Sequence, residues 1–411
     1  MRHISLMVLG LLSITLTWAS VQSRSVPVQP PPTAGGASKD KGDEKDLVPA
    51  KSGKDNYIST VGGRGLNEWI TDLKNADPSV RERAIRAVVM FGPLASQAIP
   101  TIIERTNDKD GSPRIRAVMA LGMMELADRD IPKVVEALVR RIGNEPQAVI
   151  RYQAMISLGR FQPIDAKIAI PSLAKEVEDI NTWEIRKLAV SLLASLGYDD
   201  TKGPDPVALK GLITALKDPA IQVRQESVYG LATIGRPADP ALAASVKNAF
   251  TGLLNNQDKG IAIWANVGLI NLDKPDGKLL SNISKHLDDQ RSDVRLLAAR
   301  ALGTMGKLAE FTIPELTKAL NDKEPEVQMM SAWALAMMGP SAAKALPNLK
   351  ELAENKKTVE PVKQSAQMAI GQISGKQDGA LAPKTGKLDP KAPASDKGGK
   401  TGDGNNKSKL P

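Results

Sequence analysis

The sequence predicts an all-α solenoid of about nine stacked helix pairs, and three observations predict it. An apolar anchor, usually followed by Arg and then by small or apolar residues four, five and eight positions on, returns nine times. The anchors are Val80, Pro113, Ile150, Ile185, Val223, Ile261, Val294, Val327 and Val362. They are separated by 33, 37, 35, 38, 38, 33, 33 and 35 residues, the period of a helix-turn-helix repeat. Aromatic residues make up only 3% of the 411 residues, with Ala and Leu abundant instead, which suits close helix packing better than a β-rich core.

The chain opens on Arg2 and His3, an apolar run from Ile4 to Trp18, and then small and polar residues. That order reads as an export signal over 1–23, with cleavage after Ala19 or after Ser23. The run is short for a membrane anchor, near the lower limit of roughly 17 apolar residues, and is interrupted by Ser13, Thr15 and Thr17. The expectation is a mature chain with no membrane span, secreted or held in the periplasm or cell envelope. There is no Cys, which rules out a lipid-modified Cys terminus, disulfides and thiolate metal sites. Residues 24–56 form a Pro/Gly/Lys/Asp stretch with too few apolar residues to fold, and 375–411 repeat that composition. They are expected to be a disordered linker and a disordered Lys/Gly/Pro-rich tail. The solenoid lies between them, over 57–374, entered through Gly62-Gly63-Arg64-Gly65 and a helix from Leu66 to Leu73.

Within a repeat, the second helix carries apolar or small residues 0, 4, 5, 8 and 11 positions from its anchor, as in Val294, Ala298, Ala299, Leu302 and Met305. At 100° per residue these share one helical face. Gly often follows at position 9 or 12, and at 12 it suits a helix terminus. First helices commonly open on Pro, at Pro100, Pro132, Pro171, Pro314 and Pro347, because the N–H that Pro lacks is unpaired in a first turn anyway. Polar turns such as Asn75-Ala76-Asp77-Pro78 join the two helices of a pair.

This combination of Ile-Pro-x-Leu, an acidic turn, Val-Arg and Ala-Leu-Gly resembles the HEAT repeat family over about 66–374. It is most similar to the short-repeat branch that includes phycobilin-lyase-like proteins. The resemblance implies a right-handed α-α superhelix whose second helices line the concave side. The sixth repeat departs from the pattern, with Ala262 in place of Arg, Asn266 at position 5 and Asp273 in place of the closing Gly. A local irregularity in stacking is expected there.

The formal net charge is +9, unevenly spread. Residues 1–65 carry 8 Lys/Arg against 5 Asp/Glu and 375–411 carry 8 against 4, which leaves 39 against 37 on the repeats. A nucleic-acid-binding solenoid would carry its positive charge along the folded surface, so no nucleic-acid partner is expected. The Arg following the anchor occurs at Arg81, Arg114, Arg151, Arg186, Arg224 and Arg295. Acids recur three residues before the anchors, at Asp77, Asp110, Asp258 and Glu324, and one before, at Asp293. The Arg series therefore reads as structural, bridging to these acids in exposed pairs worth about 0–1 kcal/mol each.

Catalytic material is scarce, and the chain reads as a non-enzyme without a cofactor. Of two His, His3 leaves with the signal and His286 stands alone. Deoxyhypusine hydroxylase shares the HEAT-like fold but holds iron through His-Glu pairs, and this chain has none. Asp108-Lys109-Asp110-Gly111 is similar to the middle of a calcium loop, but Ala117 and Thr106 fall where ligands belong. Ser172-x-x-Lys175 and Ser341-x-x-Lys344 lack the companion motifs of a serine acyl-enzyme.

Position 6 of each second helix lies about 240° around the helix, roughly opposite the apolar stripe, and should face the concave groove. Its occupants are Arg86, Met119, Ile156, Ser191, Tyr229, Val267, Arg300, Trp333 and Met368, six of them apolar or aromatic where solvent favours polar residues. Lateral packing between second helices is one explanation; a groove for a partner is the other. With neighbours from positions 3 and 10, the candidate partner-binding residues are Met119, Ile156, Tyr229, Trp264, Met330, Trp333 and Met337. The resulting expectation is an exported, monomeric scaffold that holds a protein or peptide. The alternative is an envelope-associated structural protein whose basic tails make weak contact with anionic wall or membrane surfaces.

Overall fold

The computed structural model of the chain describes residues 47, 49–51, 58–179, 182–273 and 276–375. The expected signal at 1–23, most of the linker, and the tail from 376 onward lie outside the described residues. The chain divides into two compact units, Met1–Ala98 and Ile99–Pro411.

In the first unit, strand β1 (Pro49–Lys51) pairs antiparallel with β2 (Ile58–Val61) ahead of α1 (Leu66–Asp72) and α2 (Pro78–Val89). The linker expected over 24–56 is therefore already ordered at Pro49–Lys51. The β-branched Ile-Ser-Thr-Val sequence of β2 gives that short strand a pairing edge. Trp69 of α1 ties the hairpin to the helix: it is buried, and its Nε1–H donates to the Val61 carbonyl at 3.0 Å. The Arg64 guanidinium lies over its ring, 4.1 Å from the centroid.

Among its described residues the second unit contains eight helix pairs. They are α3 (Ile99–Arg105) with α4 (Gly111–Met123), α5 (Ile131–Asn144) with α6 (Ala148–Leu158), and α7 (Ile170–Glu176) with α8 (Trp183–Leu196). Next come α9 (Pro206–Ala215) with α10 (Ile221–Thr233), α11 (Pro240–Leu253) with α12 (Lys259–Leu272), and α13 (Gly277–Ser284) with α14 (Ser292–Met305). The last are α15 (Ile313–Ala319) with α16 (Pro325–Met338) and α17 (Leu346–Glu354) with α18 (Glu360–Ser374). A two-stranded turn of β3 (Tyr198–Asp199) and β4 (Gly203–Pro204) separates α8 from α9. Within this unit each even-numbered helix packs on its odd partner and on its even-numbered neighbours. The recurring stripe forms the core: Ala117, Val118 and Leu121 of α4 and Ala298, Ala299 and Leu302 of α14 are completely buried. Each buried Leu contributes about 1.5–3 kcal/mol. At position 12, Gly306 and Gly339 end α14 and α16 with φ of +54° and +61°, a conformation L side chains rarely adopt.

The Arg series corrects the sequence reading in two respects. Each guanidinium first clamps the turn that precedes its own helix. Arg295 Nη1 donates to the carbonyls of Asp289 (2.9 Å) and Gln290 (3.1 Å), and Arg114, Arg151 and Arg224 repeat the pattern five and six residues back. Gln328, which replaces Arg in the eighth repeat, does the same from Nε2 to the Asp322 carbonyl at 2.6 Å. The acids it then reaches belong to the following repeat. Arg186 grips both oxygens of Asp218 at 2.6 and 2.9 Å, and Arg295 both of Asp322 at 2.7 and 2.8 Å. Arg114 pairs with Glu145, and Arg151 with Glu176 and Asp179. These pairs are buried rather than exposed, the Arg295 and Asp322 side chains being only 7% and 9% accessible. Asp77 and Asp258, three residues before their anchors, instead cap α2 and α12 by accepting from Ser79 and Ile261 N–H.

Burial alone would raise the carboxyls of Asp218 and Asp322, but the Arg hydrogen bond and a backbone N–H hold both below the usual range. Glu176 goes the other way, because burial outweighs its hydrogen bond from Arg151.

The sixth repeat stands out in the burial of its second helix. Helix α12 is buried on every side, from Ile261 through Ile270 without interruption. Asn266 donates from Nδ2 to the Ala262 carbonyl at 2.8 Å and accepts at Oδ1 from Asn282 Nδ2 of α13 at 3.4 Å. Asp273 ends the helix in an extended conformation and pairs with Lys247 of α11 at 2.7 Å.

Candidate partner-binding face

Except for α12, which is buried on every side, the even helices of the second unit turn one face to their odd partners and leave part of the opposite face accessible. Position 6 runs along that free face, and Met119 of α4 and Tyr229 of α10 are half-buried on it, with Ile156 of α6 exposed. Met330, Trp333 and Met337 are half-buried on α16, and Met368 of α18 is 52% accessible.

Trp264 is a correction. It is only 4% accessible and offers no contact surface. Tyr229 stands edge-on to its indole, with centroids 4.6 Å apart and planes at 81°. Arg300 of α14 reaches over the Tyr229 ring, 5.2 Å from its centroid, and donates from Nη2 to the phenol oxygen at 3.4 Å. Side chains from α10 and α14 therefore meet in front of α12, with Tyr229 against Trp264. The free face is concave at this point, since helices two repeats apart touch across it. The closure divides the row. Met119, Ile156 and the exposed Met123 lie on one side, and Arg300, Trp333 and Met368 on the other.

Trp333 is fixed from below. A Cβ added to Gly303 of α14 would fall 2.2 Å from Trp333 Cζ3, so the ring occupies the space that Gly leaves open. Arg300 lies one turn before Gly303 on α14, and Met330 and Met337 lie one turn to either side of Trp333 on α16. Cation, indole and thioethers are thus neighbours.

Beyond their first turns, α14, α16 and α18 carry a single charged residue, Arg300. Its hydrogen bond goes to the Tyr229 hydroxyl, and among the described residues it forms no ion pair. Sequence reasoning placed Arg300 in the row but left it out of the candidate set. The signal that finds it is a lone charge in three otherwise uncharged helical segments.

The remaining chemical candidates are committed elsewhere. Asp108 pairs with Arg105 at 3.0 Å and accepts the Asp110 N–H at 3.0 Å. His286 sits 3.9 Å from Asp289, with burial pulling its pKa down. Among the described residues no group of three or more acidic or imidazole side chains could hold a metal ion, and no helix is long and apolar enough to cross a membrane.

Stacked helix pairs with a layered core and a free face on one layer define an α-solenoid repeat protein. The sequence profile of HEAT repeats matches residues 66–159 and 280–371, so these two stretches of the solenoid are HEAT repeats. Among solved structures it is similar to an engineered protein at 20% identity, covering 76% of this chain and 89% of that one, with a TM-score of 0.42. It is also similar to YibA of Escherichia coli at 17% identity, 74% and 91% coverage and a TM-score of 0.39. The complex of CpcE and CpcF of phycocyanin lyase from Nostoc sp. is 18% identical, with 62% and 94% coverage and a TM-score of 0.42. No curated protein matches the sequence.

Proposed function

We propose that this protein is a non-enzymatic scaffold that holds a protein or peptide partner on the α14–α18 face of its solenoid, and that it works after export. The observation that carries the reading is the run of Met330, Trp333, Met337 and Met368 on a free helical face, where packing consumes only part of each side chain. Trp supplies a large rigid contact and Met an adaptable one, the combination that concentrates binding energy at protein interfaces. Export rests on the apolar N-terminal run described from the sequence.

The test is affinity capture from the native cell envelope with wild type and with Trp333→Ser/Met337→Ser. The double variant should keep its helix content and lose the partner that the wild type retains. Unchanged capture by the folded double variant would falsify this reading. The basic excess of the two tails supports a second, structural role on anionic envelope surfaces, weakened by salt. Tail deletion separates the two: envelope association is lost under the second reading, partner capture is retained under the first.

A further inference from the structure

We propose that the α14–α18 face takes an apolar segment bearing a carboxylate, and that Arg300 is the seat of that carboxylate. The inference rests on the scaffold reading above and deepens it.

Arg300 differs from the Arg residues of the repeat series that pair across repeats. Arg151, Arg186 and Arg295 each meet a carboxylate of the next repeat and disappear into the stack. Arg300 is half-buried on the free face, with a phenol ring beneath it and no carboxylate beside it. A guanidinium offers five N–H donors, and the Tyr229 hydroxyl takes one of them. Partial burial against Tyr229 weakens hydration of the charge, so an incoming anion meets a cation that has already lost part of its solvent shell. The hydrogen bond to Tyr229 anchors one edge of the guanidinium. A planar, oriented fork suits the two oxygens of a carboxylate, and the ordering cost is met before the partner arrives.

The surroundings set the rest of the partner's chemistry. Trp333 is held against Gly303, one turn from Arg300, and Met330 and Met337 flank it. With no acid on these three helices beyond their first turns, a basic segment finds no counter-charge there and meets like charge at Arg300. A single cation is also too little for nucleic acid, whose binding depends on many phosphate contacts. An acidic, apolar peptide satisfies both the Arg and the thioether-indole surface.

The experiment uses the full chain and three fluorescent fifteen-residue probe peptides of identical apolar residues, with Glu, Gln or Lys at the polar positions. Binding is read by fluorescence anisotropy. The Glu probe should bind about tenfold more tightly than the Gln probe, as expected for one charge-assisted contact, and the Lys probe more weakly than either. Arg300→Gln should bring the Glu and Gln probes to equal affinity while the Gln probe binds as before. Tyr229→Phe, which keeps the charge and the ring, should retain most of the preference and controls for misfolding of the Arg variant. Equal binding of Glu and Gln probes to wild type overturns the proposal, as does a preference that survives Arg300→Gln or failure of all three probes to bind. Capture that depends on Trp333 and Met337 without a Glu preference would leave the scaffold standing and remove the seat.

Discussion

Replacing Arg295 by Ala should destabilise the C-terminal repeats by about 3–5 kcal/mol, the usual cost of breaking a buried ion pair from one side. The structure argues for that range over the value of a surface pair, about 0–1 kcal/mol. Both side chains are nearly inaccessible, at 7% and 9%, and the contact is bidentate at 2.7 and 2.8 Å. Losing the guanidinium leaves Asp322 with the Glu324 N–H at 3.0 Å as its other donor. It also strips the carbonyls of Asp289 and Gln290 of the N–H they share. A buried group so orphaned costs about 1–3 kcal/mol, and the Asp322 carboxylate, as a charged group, lies at the upper end of that range. The assay is urea unfolding followed by circular dichroism, paired with hydrogen exchange, because a repeat array need not unfold in one step. Protection should fall in α14 and α16 and stay unchanged in α4 and α6. Adding Asp322→Leu to Arg295→Met should recover part of the loss, since a packed apolar pair replaces the buried charges. A cost below about 1 kcal/mol for Arg295→Ala would return the Arg series to the rank of surface ion pairs and refute the clamp.

Two further outcomes follow from single positions. Gly303→Val should cost about 1–3 kcal/mol by driving Trp333 from its seat, visible as a red shift in tryptophan emission and as loss of the captured partner; an unshifted spectrum would contradict the contact. Stability should also fall in acid. Asp218 and Asp322 are held below their unfolded value of about 3.9, so their contribution is complete above that pH and disappears as pH falls through their lower folded values. Denaturant midpoints measured from pH 6 to pH 2 should drop most below about pH 4, and Asp322→Asn should flatten the slope; equal slopes in both proteins would exclude this linkage.

The helix pairs were legible because the core stripe repeats in register: Val294, Ala298, Ala299 and Leu302 are buried for the same geometric reason as Ile185, Ala189, Val190 and Leu193. The Arg partners were not, since each carboxylate in the Arg186–Asp218 and Arg295–Asp322 pairs lies 32 or 27 residues away. Local spacing favoured the nearer acids, which turned out to serve as helix caps at Asp77 and Asp258. Three of the acids that the Arg series reaches sit five residues before an anchor, at Glu145, Asp218 and Asp322, a pattern visible in the alignment once the turn is known to need a clamp. Trp264 was misplaced for a different reason. Position within a repeat was used to assign its face, although Ile261 to Leu272 contains no charged residue at all. A helix apolar all round is a buried helix, whichever face its register points to.

That departure of the sixth repeat also accounts for where the candidate face lies. With Ala262 in place of the clamping Arg, the ionic link to the next repeat passes to Lys259 at the start of α12, which pairs with Asp289, and the helix from Ile261 to Ile270 is held by apolar surface on every side. Helices on either side then close across it, bringing Arg300 of α14 onto Tyr229 of α10. A cation at that position on a regular array would face solvent and bind water. Here it is anchored at Tyr229, next to the indole and thioethers of α16. The loss of one structural Arg and the preparation of another for a partner are, on this view, consequences of the same run of uncharged residues.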